Sequence, residues 1–402
     1  HPLRGDETEY MYHAAMLQEG RPMVSRWHPP LYAWGVALVF KLLGRRLLMV
    51  SLVQMVILGM GVVLLYKLAL AVLGDSRFAS AAAGAAAWYP PLLFYGHRLW
   101  PEVPHLCCEL LLFLAVVRLR TSRRLFRCMV AAGMGLALAT GLRSLLLGFA
   151  PLLCISVLRR FRREGWVKLV AALLLLLAPA ATMQGVMGWA AARYGEGGQT
   201  GAALVANLYF GLFEAGRDKP WGQDYVSLMM MYLHSSKAPR RQSELAWEKI
   251  RLLCGEYGCG RVLVAQAANA YRGLFTRESL LTWSLPGGRW GDYLVEYPTA
   301  GRALGFVSQA GVSLVVLLGF AGVLLAPAGR RGEPLPLFLL YNLALFFFLY
   351  AVSRYRIPLL PVFFVYGARF VQAVRRRELV MSRFVRFGAV AALLFMAGRL
   401  WG

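Results

Sequence analysis

A chain of 402 residues that is 58% hydrophobic, with mean hydropathy +0.53, exceeds the apolar share of soluble domains and reads as an integral membrane protein. The formal net charge of +24 does not point to nucleic acid, because the basic residues fall in short runs between apolar segments. Arg118-Leu119-Arg120, Arg123-Arg124, Arg159-Arg160, Arg162-Arg163, Arg330-Arg331 and Arg375-Arg376-Arg377 follow the pattern that holds connections at a cytoplasmic leaflet.

The chain opens on an acidic and aromatic cluster, Gly5-Asp6-Glu7-Thr8-Glu9-Tyr10, with His13 close behind. In a helix Asp6, Tyr10 and His13 share one face, and Glu9 and His13 stand one turn apart. A carboxylate here could accept a proton from a substrate hydroxyl. Glu9 with His13 could hold a divalent metal. The alternative is a helix start whose acids complement the helix dipole. His28-Pro29-Pro30-Leu31-Tyr32 follows, and Leu31–Leu43 is apolar but too short to span, so it reads as an interfacial or re-entrant helix. The sequence begins at His1 and carries no legible signal peptide, so a transmembrane helix preceding Asp6 is expected outside it.

Ten segments then reach membrane length, some marginally: residues 47–66, 78–95, 104–118, 128–142, 143–158, 167–183, 303–326, 335–351, 357–373 and 386–401. Pro90-Pro91, Gly133, Gly135 and Pro179 fall within them, tolerated where neighbouring helices satisfy the freed backbone. With residues 1–46 placed outside, every strongly basic connection lands inside, whereas the opposite orientation would expose all the arginine runs. Asp6, Glu7, Glu9, Glu102, Arg143, Arg354, Arg356 and all six histidines then reach the outer side. Residues 184–302 form an outer stretch with helical-looking runs at Ser243–Cys254 and Arg261–Phe275, broken at Gly216-Arg217-Asp218-Lys219-Pro220 and Pro286-Gly287-Gly288. The predicted organisation is therefore an outer loop (1–46), membrane helices (47–183), a small helical cap (184–302) and C-terminal membrane helices (303–402). Cys107, Cys108, Cys128 and Cys154 lie in apolar spans as packing residues. Cys254 and Cys259, in Cys-Gly-Glu-Tyr-Gly-Cys, lie in the cap, where an oxidising compartment permits a bridge.

Two further groups carry chemistry. Trp100-Pro101-Glu102-Val103-Pro104-His105 leads into Glu109, and Glu102, His105 and Glu109 line one face of a span. An ionisable residue in lipid is a functional hypothesis by default, the alternative being a structural bridge to an arginine of a neighbouring helix. Arg143, in Thr140-Gly141-Leu142-Arg143-Ser144, and Arg354 and Arg356, in Ser353-Arg354-Tyr355-Arg356-Ile357-Pro358, break the positive-inside bias. Their planar forks suit phosphate oxygens, the alternative being headgroup snorkelling.

These residues resemble the landmarks of the GT-C glycosyltransferases, nearest to the branch of protein O-mannosyltransferases and aminoarabinose transferases. Gly5-Asp6-Glu7 with Tyr10 and His28-Pro29-Pro30-Leu31-Tyr32 are similar to the first outer loop of that branch. Pro101-Glu102, Gly135 with Gly141-Leu142-Arg143, and Arg354-Tyr355-Arg356-Ile357-Pro358-Leu359-Leu360-Pro361 follow in the same order. The resemblance implies an all-α polytopic membrane protein, a GT-C-like transmembrane helix bundle with a small helical outer cap. It implies a multi-pass protein of the cytoplasmic membrane whose site faces outward. There a sugar would pass from a polyprenyl-phosphate donor to an acceptor hydroxyl on a lipid, glycan or protein, among membrane lipids and without nucleic acid. Asp6 is then the expected base and Glu102 a second acidic site residue. Arg143, Arg354 and Arg356 are expected on the donor phosphate, and Glu7, Tyr10, His28, Tyr32 and His105 around the substrate cavity. Two rivals carry different expectations. A polysaccharide ligase or polymerase is also multi-spanning with a large outer loop, and a transporter or flippase for a lipid-linked substrate would gather its charges at midplane.

Overall fold

The computed structural model describes residues 6–21, 28–119, 121–122, 124–161, 164–194, 239–276, 298–326, 328–349 and 353–379. Among them every regular element is helical. Helix α1 (Asp6–Gln18) and α2 (Leu31–Leu43) precede the first long helix, α3 (Leu47–Leu73). At about 1.5 Å per residue, the 27 residues of α3 exceed the thickness of a bilayer core. Its exposed Leu48, Leu52, Val56, Met60 and Val63 recur nearly every fourth residue and form an apolar stripe suited to lipid. Gly74 ends α3 in the left-handed region, φ 69°, with its N–H on the Leu70 carbonyl. Asp75 then caps α4 (Ser76–Ala87), its Oδ1 accepting the Arg77 N–H at 2.9 Å.

The expected span over 78–95 is two short helices. Trp88 and Tyr89 separate α4 from α5 (Pro90–His97), since Pro90 and Pro91 lack the N–H groups that would continue α4 but suit a first turn. The chain then passes through Arg98–Pro101 into α6 (Glu102–Leu119), buried along most of its length. Next come α7 (Leu125–Leu142), a 3₁₀ segment (Ser144–Phe149), α8 (Ala150–Phe161) and α9 (Trp166–Tyr194). Within the cap, α10 (Pro239–Tyr257) and α11 (Cys259–Tyr271) form a hairpin turning at Gly258, φ 81°, followed by a π-turn at Arg272–Thr276. Then follow α12 (Pro298–Leu325), a short turn at Gly329–Gly332, α13 (Pro334–Phe348), a 3₁₀ segment (Ser353–Leu359) and α14 (Leu360–Arg376). Among the described residues six segments are long and apolar enough to cross a membrane: Leu47–Leu73, Leu125–Leu142, Ser144–Phe161, Trp166–Ala190, Phe306–Leu325 and Arg354–Arg376. The shorter Leu31–Leu43 and Pro334–Phe348 are also apolar. The span expected at 386–401 and the breaks near 216–220 and 286–288 lie outside the described residues.

Small residues set the helix spacing. A Cβ on Gly135 of α7 would stand 2.9 Å from the Leu112 nitrogen of α6, and one on Gly133 would stand 3.2 Å from Pro179 Cγ of α9. A Cβ on Gly319 of α12 would meet Phe363 Cα of α14 at 2.7 Å. In lipid such close backbone approach carries much of the helix association. One end of the bundle is tied by ion pairs between basic connections, with Arg376 on Asp75 at 2.7 Å and Arg159 on Glu333 at 2.7 Å. At the other end the cap hairpin docks, Gln266 Nε2 donating to the Leu349 carbonyl at 2.8 Å. Cys254 and Cys259 lie beside one another as free thiols. The hydrogen bond between them and partial burial push the Cys254 thiol up to about 11. Cys107, Cys108, Cys128 and Cys154 are half-buried free thiols.

Candidate active site

At the cap end, α1 brings its first turn against the Ser353–Leu359 segment. Asp6 accepts a hydrogen bond and ion pair from Arg354 Nη1. His28 Nε2 lies 3.9 Å from Asp6 Oδ1 and 3.4 Å from Glu9 Oε2, while His13 Nε2 lies 3.4 Å from Glu9 Oε1. Burial of Asp6 pushes its carboxyl up, but the Arg354 guanidinium, His28 and the hydrogen bond from Arg354 together pull harder. Asp6 is therefore held below the ordinary carboxylate range.

Aromatic faces steer the arginines. The Arg354 guanidinium carbon sits 5.8 Å from the Trp100 ring and 5.5 Å from the Tyr355 ring. Arg143, just past the end of α7, approaches the same Tyr355 ring at 5.2 Å and pairs through Nη2 with Glu102 Oε1. Tyr355 itself stacks on Phe346, centroids 5.4 Å apart and rings inclined 14°. Two carboxylate–arginine pairs, Asp6–Arg354 and Glu102–Arg143, thus flank one tyrosine. Beneath Glu102 on α6, the Nε2 of His105 and both carboxyl oxygens of Glu109 are buried without hydrogen-bond partners among the described residues, as is Glu102 Oε2. A cavity of about 20 Å³, space for a single water, lies between His105, Arg143, Tyr341, Asn342 and Tyr355.

Four expected site residues have other surroundings. Glu7 is buried, its Oε2 3.2 Å from Arg98 Nη1 and its Oε1 accepting the Leu99 N–H at 3.1 Å, so it fastens α1 to the turn before Glu102 rather than lining a cavity. Tyr10 packs under His28 with centroids 5.0 Å apart and meets Tyr32 edge-on at 4.7 Å. Burial, reinforced by the Glu102 and Asp6 carboxylates, raises Tyr10 well above an ordinary phenol, so its hydroxyl stays protonated. Tyr32 donates to Gln54 Oε1 at 2.8 Å, behind the site. Arg356, 1% exposed, donates Nη1 to the Leu274 carbonyl at 2.8 Å. In a 3₁₀ segment, residues two apart point about 240° around the axis, so Arg354 and Arg356 diverge.

Arg98, Gln54, Trp100 and Tyr355 were not singled out from sequence as site residues. Gln54, a lone amide within an apolar helix, was the signal available for the first two, since it must satisfy its polar atoms locally. Its Nε2 donates to the Gly96 carbonyl at 3.3 Å, holding the Gly96–Leu99 turn onto α3. Glu9 and His13 offer two donors to a cation, but among the described residues no three His, Cys, Asp or Glu side chains converge as a metal site.

Residues 27–183 match the model of a family described as Dolichyl-phosphate-mannose-protein mannosyltransferase, a family of GT-C type. The matched stretch holds His28, Tyr32, Glu102, His105 and Arg143, and it excludes Asp6, Arg354 and Arg356. No curated protein and no solved structure matches the chain.

Proposed function

We propose that this membrane glycosyltransferase of GT-C type moves a sugar from a polyprenyl-phosphate donor to an acceptor hydroxyl, at the cap end of its helix bundle. The observation that carries the reading is the pairing of two carboxylates with two arginines around Tyr355. Arg143 and Arg354 supply planar forks for the donor phosphate, and the Trp100 and Tyr355 rings hold them in place. Asp6 takes the proton of the acceptor hydroxyl as that oxygen attacks the sugar carbon, with His28 next to it as a second acceptor. Glu102 keeps Arg143 oriented toward the site, and Glu7 holds α1 against the turn that precedes Glu102. Arg356 belongs to the attachment of the cap.

The basic connections gathered at the opposite end of the bundle support an outward-facing site in a cytoplasmic membrane. Charges concentrated at one end favour a transferase over a transporter, whose coupling groups belong at midplane. A lipid, glycan or protein hydroxyl fits the acceptor role equally. The test is incubation of the purified full chain with a panel of polyprenyl-phosphate sugars, measuring released polyprenyl phosphate and glycosylated acceptor. Release that depends on acceptor and disappears in Asp6→Asn supports the reading; transport of intact donor across vesicles without cleavage overturns it.

A further inference from the structure

We infer that Arg354 is shared between the base and the leaving group, its counter-charge passing from Asp6 to the donor phosphate during transfer. The inference rests on the reading just given and adds to it a coupling between two groups that the reading treats separately. Arg354 already donates to Asp6 Oδ2 through Nη1 alone. Among the described residues the same arginine is the cation nearest Asp6, and it is braced on two aromatic faces, Trp100 at 5.8 Å and Tyr355 at 5.5 Å. Those rings keep the guanidinium in place whichever anion it faces, and its several N–H groups can be redistributed between two anions.

The charge balance of the reaction makes that redistribution necessary. The bond between the sugar's anomeric carbon and the phosphate oxygen breaks, and its electron pair stays on the phosphate. The acceptor oxygen bonds to the same carbon, and its proton moves to a carboxylate oxygen of Asp6. The phosphodiester thereby becomes a monoester with one more negative charge, while Asp6 becomes neutral. The site's total charge is unchanged, yet the charge has crossed from one side of Arg354 to the other. An arginine that stayed with Asp6 would face a neutral acid while the new phosphate charge went without its support. An arginine that follows the charge stabilises the leaving group as it forms.

The handover also ties basicity to donor. While Asp6 owns Arg354 its carboxyl is held low and is a poor proton acceptor. Phosphate that draws the arginine away makes Asp6 a better base only when donor is in place. Glu9 and His28 also face Asp6, at the positions given above, and both remain when the arginine shifts. The buried Glu102–Arg143 pair has no such role, because Glu102 is 1% exposed and Arg143 13%, against 29% for Asp6 and 24% for Arg354.

The test is competition. Binding of farnesyl monophosphate, which resembles the leaving lipid phosphate, is measured on the full chain in nanodiscs, with farnesol as the control for the isoprenoid tail. Asp6 and the phosphate compete for Arg354, so Asp6→Asn and Asp6→Ala are expected to bind farnesyl monophosphate about tenfold tighter than the parent, one charge-assisted contact's worth. A thermal melt checks each fold, and the two substitutions guard against a defect private to one. In an Arg354→Ala background the gain is expected to vanish, which is the coupling a double-mutant cycle reads. If both Asp6 variants bind no tighter than the parent while Arg354→Ala weakens binding, the handover fails and the donor-site reading stands. If farnesyl monophosphate binds no better than farnesol in every variant, the donor-site reading itself falls.

Discussion

The two carboxylate–arginine pairs of the site are alike in chemistry and opposite in setting. Glu102–Arg143 joins helices that are neighbours in the chain and is the more buried of the two, whereas Asp6–Arg354 joins residues 348 apart and is the more exposed. A largely buried pair has given up most of its water, so removing one member strands a charge. A half-open pair can exchange one partner for a ligand, because water and incoming anions compete for the same fork. On the proposed mechanism Glu102 therefore holds Arg143 in position for the phosphate, while the outer pair carries the exchange.

The sharpest way to break that comparison is Asp6→Asn. Transfer is expected to fall about 100- to 10,000-fold, the usual loss of a general base, with an unchanged melting profile. Steady-state release of polyprenyl phosphate checks it, and retained activity would hand the base role to His28 or Glu9. Glu102→Gln should do the reverse, lowering stability by about 3–5 kcal/mol through the stranded Arg143, read by denaturation of the detergent-solubilised protein. A Glu102→Gln variant as stable as the parent would place both pairs in the same class.

Arg354→Ala and Arg356→Ala separate donor binding from cap attachment. The first is expected to lose roughly 10- to 100-fold in apparent donor affinity, and lysine to rescue it only in part. The second should leave donor affinity near the parent's and destabilise by about 1–3 kcal/mol, since the Leu274 carbonyl loses its buried donor. Equal donor defects in both variants would contradict the divergence of the two side chains. The smallest effect is on pH dependence. Asp6 is held low in the free protein, so the acid limb of kcat/KM should lie below the ordinary Asp range, activity persisting as pH falls until Asp6 protonates. With donor bound and Arg354 drawn off, Asp6 regains basicity, so the acid limb of kcat should lie at higher pH than that of kcat/KM. Coincident limbs would mean the pair does not open.

Helix α2 at Leu31–Leu43 has the bounds its apolar run implied, because a short amphipathic-to-apolar stretch between Pro30 and Gly44 has few alternatives. Ser243–Cys254 and Arg261–Tyr271 likewise lie on the helical hairpin, and the rest of the run to Phe275 lies in the π-turn that follows it. The run over 78–95 was legible as apolar but not as broken, although Pro90-Pro91 sat in plain view. Hydropathy sums over a window, and only backbone hydrogen bonding reveals where a helix must stop. Glu7 and Asp6 are adjacent acids of one motif, Asp6 expected as the base and Glu7 beside the substrate cavity. Their roles diverge because successive helical residues point about 100° apart, sending Glu7 into Arg98 and Leu99 and Asp6 toward Arg354.

Composition, run length and the placement of arginine runs were enough to determine a polytopic helical membrane protein, since the bilayer admits few ways of satisfying a backbone. Which carboxylate meets which arginine was decided by tertiary structure alone. Pairings across 348 residues depend on how α1, the turn before α6 and the Ser353–Leu359 segment converge. No local propensity encodes that convergence; contacts between distant parts of the chain do.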